Sequence, residues 1–119
     1  MESTTKKPSI EFRRNLANWK GIKAACSEAI EDAYGITDDE LWSVKRYEEV
    51  AFCRMVIYYT LHRSFGITAA RVGRILGKNH GTILKGCQRI DGFLEVDRNM
   101  QIDIKLLSER IESKLASLR

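Results

Sequence analysis

Proline is almost missing. Pro8 is the only one in the chain, so beyond it no residue lacks the N–H that a helix needs. No alternating Val- or Ile-rich segment suggests a strand either. Histidine is nearly as scarce, with His62 and His80 alone, and the three cysteines, Cys26, Cys53 and Cys87, lie far apart with no CxxC pair. A zinc site takes its ligands in closer groups. No metal or other cofactor is therefore expected, and the cysteines read as buried, reduced thiols that pack as small apolar residues. No apolar run approaches the roughly 18 residues of a membrane helix. The N-terminal "MESTTKKPSI" has lysines without an apolar block behind them, so no secretory signal is expected and the cytoplasm is the default setting.

What is present is a moderately apolar, highly charged chain. Its 119 residues are 44% apolar and 30% charged, which suits one domain with a real core. The net charge of +4 is unevenly spread. Between Lys45 and Arg89 there are nine Lys or Arg against two acids, Glu48 and Glu49, while the remainder of the chain is net acidic. Such segregation is the footprint of a surface that meets phosphates.

Helical periodicity runs through the sequence and makes the expected fold all-α. Residues 10 to 34 read as helical with a break near Gly21, and Ile22, Cys26, Ala29, Ile30 and Ala33 form the apolar stripe of the second piece. Thr37, followed by Asp38, Asp39 and Glu40, is a capped start of a short helix with Leu41 and Trp42. A long helix then reaches about Ser64, with Val50, Cys53, Val56, Ile57, Thr60 and Leu61 facing inward. Thr68 caps a short helix, residues 69 to 76, ended by Gly77. Asn79 caps the next, whose inner face is read as Ile83, Leu84, Cys87, Ile90 and Leu94. A last helix spans about Asn99 to Leu118. Trp42, Tyr58 and Tyr59 sit among apolar neighbours and are expected in or beside the core rather than as stacking platforms.

The stretch "GRILGKNHGT", residues 73 to 82, admits two readings. A nucleotide-binding P-loop requires G-x-x-x-x-G-K-[ST] after a strand. Here Gly73 and Gly77 are separated by three residues, Asn79 stands where the hydroxyl belongs, and no strand precedes. The alternative fits: a short helix, a glycine turn and a longer helix make a helix-turn-helix, whose second helix enters the major groove with its leading residues. Asn79, His80, Gly81, Thr82, Lys85 and Arg89 lie at or near that leading end. No metal cluster and no nucleophile-and-base pair is visible, so catalysis is not expected.

"VGRILGKNHGTILKGCQRI" resembles the signature of the C-terminal DNA-binding domain of the bacterial replication initiator DnaA, roughly I-G-x-x-F-G-x-R-D-H-[ST]-T-V-x-x-A-x-x-K-I. The similarity extends back through "AIEDAYGITDDELWSVKRYEEVAFCRMVIYYTL" and covers about residues 24 to 118. Residues 1–23 are read as an N-terminal extension with an extra helix and residues 24–119 as the domain itself. The resemblance implies a Trp-repressor-like helical fold and double-stranded DNA as the partner. It implies that Lys45 and Arg46 stand in the basic loop, with Arg46 the candidate for the minor groove. It further implies a DNA-backbone contact from Arg54, base reading by His80, a hydroxyl contact from Thr82, and Lys78 in place of the turn arginine. Arg71, Arg74, Lys85 and Arg89 are added as phosphate contacts, Lys85 also reaching bases.

The departures from the signature lie in the recognition segment. The turn is one residue shorter, Asn79 replaces an aspartate, and Gly81 replaces the first hydroxyl residue. An asparagine amide pairs more naturally with adenine than with cytosine, so a site other than the family's usual box is expected. No Walker motif occurs in the 119 residues, which reads as the DNA-binding module standing alone, a nucleoid-associated monomer linked to replication initiation or its regulation. The N-terminal helix, about residues 9 to 20 with Phe12, Leu16 and Trp19, packs on the core or meets a protein partner. A protein-interaction module derived from this fold, or a small transcriptional regulator, is the alternative function.

Overall fold

A computed structural model describes residues 19–44 and 47–117. Six helices follow in order: α1 (Trp19–Tyr34), α2 (Asp38–Leu41), α3 (Glu48–Tyr59), continued by a π-helical turn over Thr60–Ser64, then α4 (Ala69–Leu76), α5 (His80–Val96) and α6 (Arg98–Ala116). Among the described residues there is no strand. The expected N-terminal helix with Phe12 and Leu16 lies outside the described residues, as do Lys45 and Arg46.

The helix starts follow from their caps. At α2 the Thr37 hydroxyl accepts from the Glu40 N–H at 3.2 Å, and the Glu40 carboxylate accepts from the Thr37 N–H at 2.9 Å. This reciprocal box satisfies two otherwise orphaned donors. The Thr37 N–H, and after it the Thr37 hydroxyl donating at 3.1 Å, hold the Glu40 carboxyl below its ordinary pKa. Thr68, Asn79 and Asp97 cap α4, α5 and α6 through the N–H groups of Arg71, Thr82 and Met100.

Helix α3 runs through the middle, with Val56 and Ile57, and Leu61 in the π-helical turn after it, fully buried and α5 and α6 packed against it. Helix α1 lies along α6. The three cysteines are buried and free, and desolvation is the main force pushing their thiols up, to about 12 for Cys26, about 12 for Cys53 and about 11 for Cys87. Tyr58 is buried, Trp42 and Tyr59 half-buried, and the Trp42 indole N–H donates to Ser27 Oγ at 2.8 Å.

Helix α1 begins, among the described residues, at Trp19 and contains Gly21; the segment before it lies outside the described residues. Two local expectations need correction. Leu84 is not on the inner face of α5 but 38% exposed. The buried stripe is Ile83, Gly86, Cys87 and Ile90, because a glycine rather than a large residue meets α3. The end of the long helix is also not plain α. Phe65 N–H donates to the Thr60 carbonyl at 3.1 Å, while Thr60 Oγ1 donates to the Val56 carbonyl at 2.8 Å. His62 Nδ1 then donates to the Ile67 carbonyl at 2.7 Å, closing the turn from which α4 departs.

Candidate nucleic-acid interface

The geometry between α4 and α5 is set by two glycines. Gly77 takes φ 73° and ψ 35°, the left-handed conformation that ends a helix without a Cβ clash. Gly73 is buried, and the Lys78 N–H donates to its carbonyl at 2.8 Å. A Cβ on Gly73 would lie 2.3 Å from the Lys78 carbonyl oxygen. The turn therefore rests directly on the backbone of α4, and only glycine permits it.

Asn79 ends the turn and starts α5. Its Oδ1 accepts from the Thr82 N–H at 2.9 Å and from the Thr82 hydroxyl at 3.0 Å. Both acceptor positions are thus engaged, which leaves Nδ2 as the part of this exposed residue's amide outside the cap. Bidentate pairing with adenine needs an accepting oxygen as well as a donor, so the cap favours a single donated bond instead. His80 is exposed at the first helical position, and its ring has no hydrogen bond among the described residues. Gly81 beside it is half-exposed, and a Cβ there would meet only Asn79 Oδ1, at 3.4 Å.

On its other flank α5 packs closely on α3. Gly86 sits so near the Tyr58 ring that a Cβ would lie 2.6 Å from Cδ2. Above this contact runs an open groove between α3 and α5, lined by Arg54, Lys78, Lys85 and Arg89 together with Tyr58 and Thr82 and by no acid. Of the cations expected at the site, Arg54, Lys78, Lys85 and Arg89 line this one groove, Arg71 and Arg74 lie exposed on α4, and Lys45 and Arg46 fall outside the described residues.

Arg54 has a second occupation. Its Nε and Nη2 donate to the carbonyls of Leu41 and Ser43, tying the segment after α2 to α3. The half-buried guanidinium is therefore a clamp on the chain that leads to Lys45. Sequence reasoning missed that clamp, the contact roles of Gly73 and Gly86, and the exposure of Leu84 and Gln88 on the outer side of α5. For Gly73 a signal was present in the glycine of the signature motif; for the others only three-dimensional packing reveals them.

A short capped helix, a left-handed glycine turn and a second helix whose leading end is solvent-facing and borders a groove lined by cations define a helix-turn-helix DNA-binding domain. Comparison with known proteins gives the family: the profile described as "Bacterial dnaA protein helix-turn-helix" matches residues 25–90, more than half of the chain, and the chain belongs to that family. It is 31% identical over 94 residues to the chromosomal replication initiator protein DnaA of Trichormus variabilis, covering 75% of this chain and 20% of the relative. It is 30% identical over 84 residues to the same-named protein of a Nostoc strain, covering 70% of this chain and 18% of the relative. The chain thus spans about a fifth of the length of these relatives. No helix among the described residues is long and apolar enough to cross a membrane.

Proposed function

We propose that the protein binds double-stranded DNA with sequence preference and acts in replication initiation or its control. The observation that carries this reading is the leading end of α5: exposed, free of acids, and flanked by the cationic groove. In this reading His80, Lys85 and the Nδ2 group of Asn79 read base edges in the major groove, with Gly81 allowing close approach of the backbone. Lys78, Lys85, Arg89, Arg71 and Arg74 contact phosphates, Lys85 thus serving both roles, Thr82 adds a hydroxyl, and Arg54 acts by holding the segment after α2 on α3. Phosphate contacts supply affinity and base contacts supply preference.

The test is a binding-site selection from random duplexes at moderate salt, followed by titration of the selected and a random duplex. A defined consensus with salt-dependent affinity supports the reading. A chain that selects no sequence and is not retained by duplex DNA would instead be an interaction module, and the proposal would fall.

A further inference from the structure

A second cleft, of about 730 Å³, opens where the C-terminal end of α1 meets the first turn of α3, the later part of α5 and the start of α6. Its apolar lining comes from Phe52, Met55, Phe93 and Met100, all partly buried against the core. Its charged lining is mainly acidic, Glu40, Glu48, Glu49 and Asp103 against the one cation Arg89. A smaller cleft of about 390 Å³ continues it, sharing Ile36, Glu40 and Glu49. At the rims Tyr34 is 48% and Tyr47 60% exposed.

Helix energetics account for part of this charge, since Glu48 and Glu49 lie in the first turn of α3 and Glu40 belongs to a capping box. They do not account for Asp103, which sits inside α6 away from its N-terminus. Among the described residues no cation forms an ion pair with Glu48, Glu49 or Asp103. An apolar floor built from two aromatics and two methionines, bordered by acids that form no ion pair among the described residues, matches one ligand chemistry: an amphipathic helix with an apolar stripe and basic flanks.

We propose that this cleft docks a basic amphipathic helix of a partner protein. Apolar side chains one turn apart enter between Phe52, Met55 and Phe93, and Lys or Arg on the flanks meet Glu48, Glu49 and Asp103. The cleft adjoins the cationic groove at Ala51, Met55 and Arg89, which line both, and the Arg89 guanidinium rests 5.8 Å from the Phe93 ring. Its acids Glu48, Glu49 and Asp103 line only the cleft, so failure of docking leaves the DNA-binding reading untouched.

The probe is a labelled synthetic helix of about four turns, with Leu and Phe along one face and Lys elsewhere, titrated against the full chain by fluorescence anisotropy. Two control peptides replace every Lys by Glu, or the apolar anchors by Ser. Binding of the first peptide and not of either control is expected. The triple variant Glu48→Gln, Glu49→Gln, Asp103→Asn should weaken it about tenfold, because each exposed pair is worth little alone, and the rim variant Tyr34→Ser should weaken it too, both with unchanged circular dichroism. Equal binding by the Ser-anchor control, or no change in both variants, overturns the proposal. So does a concentration-dependent dimer that the triple variant abolishes, which would assign the cleft to a second copy.

Discussion

At Gly73 the absence of one carbon decides whether the helix-turn-helix closes. A Cβ there would press to 2.3 Å on a backbone oxygen of the turn, and backbone cannot rotate away as a side chain does. Gly73→Ala is expected to lower stability by about 1–3 kcal/mol, the usual scale of overpacking, read as a fall in thermal midpoint. Gly81 is the contrasting case. Its only neighbour within 4 Å of a built Cβ is Asn79 Oδ1 at 3.4 Å, so Gly81→Thr should fold as the parent does. It places a hydroxyl and a methyl where the resemblance expects a hydroxyl residue, and repeated site selection should show a changed preference at one base position. Asn79 separates capping from reading. Asn79→Ala removes the acceptor for Thr82 and should cost about 1 kcal/mol of stability. Asn79→Asp keeps an accepting oxygen but loses the outward Nδ2 donor; its melting should match the parent while its preferred sequence shifts. If both variants change binding in proportion to stability, Asn79 is a cap and nothing more.

Each element carries its own consequences. The short α2 and the segment after it are held to α3 by Arg54, whose donors satisfy the Leu41 and Ser43 carbonyls. Arg54→Ala leaves both acceptors without that donor and should destabilise by about 1–3 kcal/mol in urea titrations, with weaker binding to every duplex. Helices α1, α3 and α5 bring one buried cysteine each, Cys26, Cys53 and Cys87, with thiols pushed to about 12, about 12 and about 11. The folded state thus retains protons that the unfolded chain loses above its ordinary value of 9.0. Stability that is intact below pH 9 should accordingly decline toward pH 11–12, as denaturation at stepped alkaline pH would show. The raised values of buried Tyr58 and half-buried Tyr59 act in the same direction. What the sequence made legible follows the same division by element. Caps such as Thr37, Thr68 and Asn79, and stripes such as Val56–Ile57–Leu61, depend on neighbours within a turn or two, and periodicity exposes them. Leu84 was misplaced because its surroundings depend on Gly86 meeting Tyr58, a contact between helices. The clamp of Arg54 and the acidic cleft are assembled from separate parts of the chain, and no local pattern announces them.

Among the described residues, two adjoining grooves differ in the sign of their charge. The groove beside the tip of α5 has four cations and no acid, whereas the cleft toward α1 and α6 has four acids and, as its one cation, the shared Arg89. In the proposed function this contrast orients duplex DNA toward the cationic groove before any base contact. Two of the basic groups outside both grooves are held in ion pairs: Arg63 by Asp91 at 2.9 Å, and Lys114, which bridges Glu28 at 2.8 Å and Asp32 at 3.0 Å. With Lys78, Lys85, Arg89, Arg71 and Arg74 engaged, five phosphates are neutralised, and log affinity should fall against log salt with a slope of about −4 to −5. Between 50 and 200 mM salt that amounts to a loss of a few hundred-fold, roughly. Arg71→Ala should reduce the slope by about one unit and weaken selected and random duplexes equally. His80→Ala should leave the slope alone and shrink the ratio between the two duplexes, since a base contact discriminates by about 1–3 kcal/mol. Arg63→Ala should change neither slope nor ratio. The decisive comparison is between Arg71 and His80: if removing the histidine flattens the salt response, or removing the arginine alters the ratio, then α5 does not lie tip-first in the major groove.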